Sequence, residues 1–235
     1  MARLKRLLAP DFWKVAKKEM TWVVSPRPGP HKKFECIPLL IIVRNILGFA
    51  ETGKEAKKII KKGEILVDGK PRKDHAYPVG LFDAVSIPKI GKHYRVVISR
   101  KGLKLSEIDE KEAKAKICKI KNKTAVKGGK IQLNLHDGKN ILVEKSEDKF
   151  RTGDSLLLSL PDLKILKHIP LEVGGLVVVV KGKNKGKMGK VKKILPGKFN
   201  VKPKVIVDVD GKEIEVLKDY VYVVGKNKPE IKVVE

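Results

Sequence analysis

The sequence predicts a multi-domain chain, α+β near its start and all-β towards its end. Three observations carry that prediction. Pro10, Pro26, Pro28 and Pro30 interrupt the first 36 residues. Two helix-period patterns with cap residues come next. Short apolar runs separated by turn residues then continue to the end. The expected layout is an extended N-terminal arm over residues 1–36, a small α+β domain over 37–98, a β-rich central domain over 99–170 and a small barrel or sandwich over 171–235.

In the arm, Ser25-Pro26-Arg27-Pro28-Gly29-Pro30-His31-Lys32-Lys33 cannot be helical, because alternating prolines fix an extended backbone with few internal hydrogen bonds. Lys14 to Met20 is expected as a short helix. An extended basic arm of this kind is expected to order on binding its partner.

The α+β domain starts with a helix predicted from Pro38 to Leu47, opened by Pro38 and stopped by Gly48. A second helix is signalled from Thr52 to Lys62. Thr52 and Glu55 form a capping box, and Gly63 sits where a left-handed cap is wanted. Lys54, Lys57, Lys58, Lys61 and Lys62 share one face; Ala56, Ile59 and Ile60 share the other. A strand running into a turn is predicted at Ile65 to Lys70, followed by strands at Val85 to Ile87 and Tyr94 to Ile98. The stretch from Leu103 to Lys116 is expected to be helical or irregular. Leu133 to Leu135, a turn at His136 to Lys139, and Ile141 to Val143 read as a hairpin. Five further strands are predicted at Leu176 to Val180, Gly189 to Ile194, Val205 to Val209, Glu213 to Leu217 and Tyr220 to Val224.

The partner is indicated by charge. The chain has 53 Lys+Arg against 27 Asp+Glu, a net charge of +26 over 235 residues. A soluble domain needs a net charge of only about 2 to 8. A lysine-dominated surplus of this size suits the phosphates of a nucleic acid. The surplus is spread evenly, at +6, +6, +7 and +7 across the four segments. That distribution suits a chain with nucleic acid on several sides rather than in one cleft.

Two places concentrate the signal. One is the lysine face of the second helix, since an ordinary solvated face mixes signs. The other is Val178-Val179-Val180-Lys181-Gly182-Lys183-Asn184-Lys185-Gly186-Lys187-Met188-Gly189-Lys190-Val191, two strands joined by a glycine–lysine loop. From Val173 to Val207 there are ten lysines and no acidic residue. Gly182, Gly186 and Gly189 are expected to allow positive φ and bring backbone amides close to an anion. The candidate phosphate contacts are Arg3, Lys5, Arg6, Arg27, His31, Lys32 and Lys33 in the arm. Arg44, Lys54, Lys57, Lys58, Lys61, Lys62, Arg72 and Lys73 follow in the α+β domain, and Lys183, Lys185, Gly186, Lys187 and Lys190 in the loop.

Other chemistries are excluded by their missing parts. Gly48-Phe49-Ala50-Glu51-Thr52-Gly53-Lys54 imitates a phosphate loop, but Glu55 stands where a hydroxyl should hold magnesium. No catalytic constellation or metal-ligand spacing occurs, and His31, His75, His93, His136 and His168 stand apart in sequence. Cys36 and Cys118 read as buried, idle thiols in a reducing cytosolic compartment. The N-terminus lacks an apolar targeting core. The longest apolar runs are too short to span a bilayer. Aromatics are 5% of the chain, which argues against a reader built on aromatic strands. No cofactor, small-molecule substrate, membrane or self-association is expected.

At the level of motifs, the chain resembles a known family. Arg3-Leu4-Lys5-Arg6-Leu7, Pro10, Trp13, the run Trp22 to His31, Glu35-Cys36-Ile37-Pro38-Leu39 and Tyr77-Pro78-Val79-Gly80-Leu81-Phe82-Asp83 are similar to the S-four-e family of small-subunit ribosomal proteins of archaea and eukaryotes. Arg3 departs from the His expected there. The resemblance implies that residues 37–98 form an S-four-type RNA-binding domain, with Glu55, Ala56, Ile59, Ile60, Gly63, Val67 and Gly69 on its pattern. Leu81 and Phe82 separate a usually adjacent Gly-Asp pair, so that loop is expected to differ in shape. The glycine–lysine hairpin resembles a KOW motif, with Gly186 as its central glycine, in an SH3-like barrel. The implied role is a non-enzymatic structural constituent of the ribosome, with small-subunit rRNA and neighbouring ribosomal proteins as partners. An archaeal source fits the Lys/Ile/Val-rich composition. The rival readings are a KOW-type transcription elongation factor and the RNA-docking part of an RNA-modifying enzyme.

Overall fold

In a computed structural model, residues 3–16 and 20–234 are described. The chain divides into two compact units, Met1–Val97 with Lys101–Lys114, and Ile98–Arg100 with Ala115–Glu235. Mixed α+β and strand-rich character is observed, with few helices and several sheets.

The first unit opens with β1 (Arg3–Lys5), paired antiparallel with β2 (Trp22–Val24). Next come β3 (Cys36–Pro38), α1 (Leu39–Ile41), which runs into a π-helical turn at Ile42–Ile46, and α2 (Gly53–Lys61). They are followed by β4 (Leu66–Val67), β5 (Lys70–Pro71), β6 (Pro78–Gly80), β7 (Ala84–Ile87), β8 (Lys92–Ser99), β9 (Gly102–Ile108) and α3 (Glu110–Ala113). One sheet has the order β5-β4-β7-β8-β9, and β3 pairs with β6. Ile37, Leu40, Ile60, Val79 and Val96 are buried in the core between them.

Two expectations change here. The N-terminal segment is not a free extended arm. Leu4, Trp13, Val15 and Val23 are buried in the core, and the indole Nε1 of Trp13 donates to the Cys36 carbonyl at 2.8 Å. Burying each such side chain stabilises the packed form by about 1.5–3 kcal/mol, which outweighs the freedom of a loose arm. Ser25 to Pro30 is non-helical, as expected. The helix expected at Lys14 to Met20 lies partly outside the described residues; Lys14 itself is left-handed, with φ 51°. The second change is within Leu103 to Lys116, expected to be helical or irregular: β9 takes its first part as a strand, while α3 (Glu110–Ala113) keeps a short helix. Leu103 and Leu105 alternate at period two and pack on the core.

The second unit contains β10 (Ala115–Val126), β11 (Lys130–Leu135), β12 (Asn140–Glu144), β13 (Ser155–Ser159) and β14 (Ile165–Ile169), in sheet order β12-β11-β10-β13-β14. Cys118, Ile120, Leu133, Leu135, Leu156 and Leu158 fill its core. A further antiparallel sheet, β18-β17-β16-β15-β19, is built from β15 (Leu176–Val179), β16 (Met188–Leu195), β17 (Lys204–Val209), β18 (Lys212–Leu217) and β19 (Val221–Gly225). The hairpin predicted at Leu133 to Val143 is present as β11 with β12, and β17 with β18 forms another. Positive φ at Asp210 (51°) and Gly211 (78°) gives the tight turn that an Asp-Gly pair favours. Lys119 joins β10 to the turn before β19. Its ammonium donates to the carbonyls of Lys218 at 2.7 Å, Asp219 at 3.2 Å and Val221 at 2.8 Å.

Candidate nucleic-acid interface

Helix α2 presents the first candidate surface. The Thr52 hydroxyl accepts from the Glu55 amide at 3.3 Å, and the Glu55 carboxylate accepts from the Thr52 amide at 3.4 Å. This box fixes the helix start and hence the rotation of its faces. Ala56 and Ile60 are fully buried. Lys54, Lys57, Lys58, Lys61 and Lys62 line one open surface on the other side. None of the five has a carboxylate partner among the described residues. A row of unneutralised ammonium groups on a rigid helix offers a track of phosphate sites.

Lys57 also borders a groove formed by the Trp22 to Pro28 segment with His75 and Ala76. Arg27 reaches into this region, ion-paired with Asp74 at 3.2 Å. Burial, and then the charges of Lys57, Arg27 and Lys61 against Asp74, hold the His75 imidazole below its ordinary pKa. Several cations therefore converge there.

The glycine–lysine hairpin joins β15 to β16. Lys183 and Lys190 are exposed, Lys185 and Lys187 half-buried, and none is ion-paired among the described residues. Part of the expected amide cradle is taken up within the hairpin. The amides of Lys185, Gly186 and Lys187 donate to Gly182, Val179 and Asn184 carbonyls at 3.3, 2.7 and 3.2 Å, so they are occupied within the turn. Gly182 and Gly186 do have positive φ, 84° and 81°. Gly189 does not appear among the positive-φ glycines. It is needed for close packing instead, since a Cβ there would lie 2.1 Å from the Asp208 carbonyl oxygen. At Gly186 a Cβ would lie 2.8 Å from the Arg100 amide nitrogen. At these three positions lysine side chains, rather than amides, are left to face an anion.

The remaining candidates divide. Lys5, Arg27, Lys32, Lys33 and Lys73 are exposed, and Lys33 lies 5.6 Å over the Phe34 ring. Arg3 lies on β1. Arg44 is half-buried, its Nε donating to Asn45 at 3.0 Å. Arg72 stacks 4.5 Å over the Tyr77 ring. Arg6 and His31 are corrections. Arg6 is 5% exposed and its Nε donates to the Ala16 carbonyl at 3.1 Å. His31 faces the buried Asp83 at 3.0 Å, where a phosphate has no access. The loop that carries the extra Leu81 and Phe82 builds this clasp. Phe82 is buried with φ 66°, and the Gly80 amide donates to the Asp83 carboxylate at 2.9 Å. A Cβ on Gly80 would lie 2.2 Å from the His31 ring.

Some buried polar groups engage one another. Cys36 and Cys118 are buried and outside any disulfide. Burial, reinforced by Asp83 and Glu35, pushes the Cys36 thiol up to about 12. Cys118 meets the adjacent pair His136-Asp137 in the second unit. Asp137 is bound by Lys116 at 2.9 Å and by Lys139 at 3.3 Å, while the Lys119 amide donates to His136 Nδ1 at 3.3 Å. Burial would raise Asp137, but Lys116, His136 and Lys139 outweigh it and keep the carboxylate ionised. A cation there would have to displace two ammonium groups, which makes this a structural knot rather than a metal centre. No described helix is long and apolar enough to cross a membrane.

Comparison with known proteins agrees with this picture. Three family models match: the RS4NT domain over residues 2–34, the S4 domain over 37–85 and ribosomal family S4e over 90–165. The small ribosomal subunit protein eS4 of Staphylothermus marinus is 47% identical, covering 99% of this chain and 95% of the relative. That of Methanothermobacter thermautotrophicus is 48% identical, covering 96% and 93%. The crystal structure of the 30S ribosomal protein S4e from Thermoplasma acidophilum superposes with a TM-score of 0.71 at 28% identity, covering 82% of this chain and 96% of that one. With near-full-length identity at this level, the chain belongs to the S4e family of small ribosomal subunit proteins, a family of structural and non-enzymatic components.

Proposed function

We propose that this protein binds and stabilises folded small-subunit rRNA during subunit assembly and translation, as a structural constituent of the ribosome in the cytoplasm. The observation that carries the reading is the unneutralised lysine face of α2, inside the segment matched by the S4 domain. Contact is through phosphates and RNA shape, not base-edge reading. Residues 1–36 extend the basic surface of the RNA-binding domain at 37–98, through Lys5, Arg27, Lys32 and Lys33. Residues 99–170 supply a β-rich central domain, and 171–235 a KOW-type, SH3-like barrel. The five antiparallel strands and the turn glycine Gly186 support that last assignment. Neighbouring ribosomal proteins are the other partners, and the chain acts as a monomer among them.

Sucrose-gradient fractionation of native cells at moderate salt tests the reading. The protein is expected to sediment with the small-subunit peak. Its absence from that peak overturns the proposal.

A further inference from the structure

We propose that the groove between the Trp22 to Pro28 segment and His75 holds an unpaired RNA nucleotide, its base on the Trp22 indole and its phosphate on Lys57 and Arg27. This inference rests on the RNA-binding reading above and adds a specific occupant.

Four observations lead to it. Trp22 is 46% exposed on β2, while Trp13, the other tryptophan, is fully buried. A large aromatic left half in water beside cations is a stacking platform in need of a flat partner. The groove wall continues from Trp22 through Pro26 and Pro28, which are rigid and offer no backbone donor. The cations Lys57 and Arg27 line it, beside the His75 imidazole. Finally, Lys57 belongs both to this groove and to the lysine face of α2. A backbone following the helix therefore reaches the groove at Lys57, where a base can leave its stack and enter.

A paired base cannot do this, because its faces are covered by its neighbours in the duplex. The groove is therefore selective for single-stranded or bulged RNA, in contrast to the sequence-blind lysine row. An apolar protein segment would use the same walls but would gain nothing from the cations.

The test uses the full chain, with a short oligoadenylate offered alone or paired with oligouridylate, and Trp22→Ala, Trp22→Leu and Trp22→Phe variants. Trp22 is exposed, so these variants are expected to fold, and the unchanged burial of Trp13 reports that they have. Free oligoadenylate should quench the tryptophan emission of the wild type but not of Trp22→Phe, and the duplex should quench neither. Trp22→Ala and Trp22→Leu should bind oligoadenylate about tenfold more weakly, as expected for one lost stacking contact. Trp22→Phe should stay within about threefold, and the salt slope should be the same in all. Equal binding by Trp22→Ala, or rescue by Leu as full as by Phe, overturns the proposal. Failure of the RNA-binding reading looks different: Lys57→Gln then leaves the salt slope untouched as well.

Discussion

The lysine face of α2 and the glycine–lysine hairpin have similar compositions and different construction. On the helix, every lysine is held out by backbone periodicity and the opposite face is anchored by Ala56 and Ile60. In the hairpin, Gly186 and Gly189 are used up by packing, and the amides of Lys185, Gly186 and Lys187 by the turn itself. A run of Gly and Lys in sequence thus means different things in the two places. The helix organises charge, whereas the hairpin organises backbone and carries charge on its surface.

The sharpest way to break this contrast is at Gly189. Gly189→Ala places a Cβ against the Asp208 carbonyl, which cannot move without parting β16 from β17. A loss of about 3 kcal/mol in unfolding free energy is expected by denaturant titration. Normal stability would show that the sheet adjusts and that the glycine is not a packing requirement.

Next in size are two matched lysine sets. Lys54, Lys57, Lys58 and Lys61 changed together to Gln should lower the slope of log K against log salt by about 3 on small-subunit rRNA. The same change at Lys183, Lys185, Lys187 and Lys190 should give a similar fall. If only the helix set alters the slope, the hairpin lysines are a solvated surface and the contrast deepens.

A smaller effect is expected at the cap. Thr52→Ala removes one half of the box and should cost about 1 kcal/mol, with Thr52→Ser close to wild type. An unchanged melting temperature would mean that packing alone sets the rotation of the lysine face.

A last test sets an exposed lysine against a buried one. Burial pushes the Lys119 ammonium down to about 8, against an ordinary 10.5. Between those values the unfolded chain binds more protons than the folded one, so stability rises with pH. The gain is complete above about pH 10.5 and is lost as pH falls through 8. Lys119→Met should flatten this dependence in unfolding titrations, whereas Lys58→Met, on the exposed face, should leave it intact. A slope that survives Lys119→Met would assign it to other groups.

Much of the local structure was legible because its causes are local. Thr52 and Glu55 are three residues apart, the lysine spacing is one helix period, and Asp210-Gly211 encodes its own turn. The Leu103 and Leu105 alternation was legible too, but the surrounding charge masked it. Other features depend on partners far along the chain. His31 and Asp83 are 52 residues apart, and Trp13 and Cys36 are 23 apart. The proline run correctly excluded a helix, yet it gave no sign of the core that the arm covers.

The sequence by itself determined the polyanionic partner, the family, the capped lysine helix and the hairpins, because net charge, motif and short-range period are properties of the chain alone. Tertiary structure decided which cations remain available. Arg6 and His31 are basic in sequence and buried in the fold, while Trp22 stays exposed beside Lys57. The physical reason is burial: a charge taken from water must be met by a partner, and which partner arrives depends on packing between distant segments.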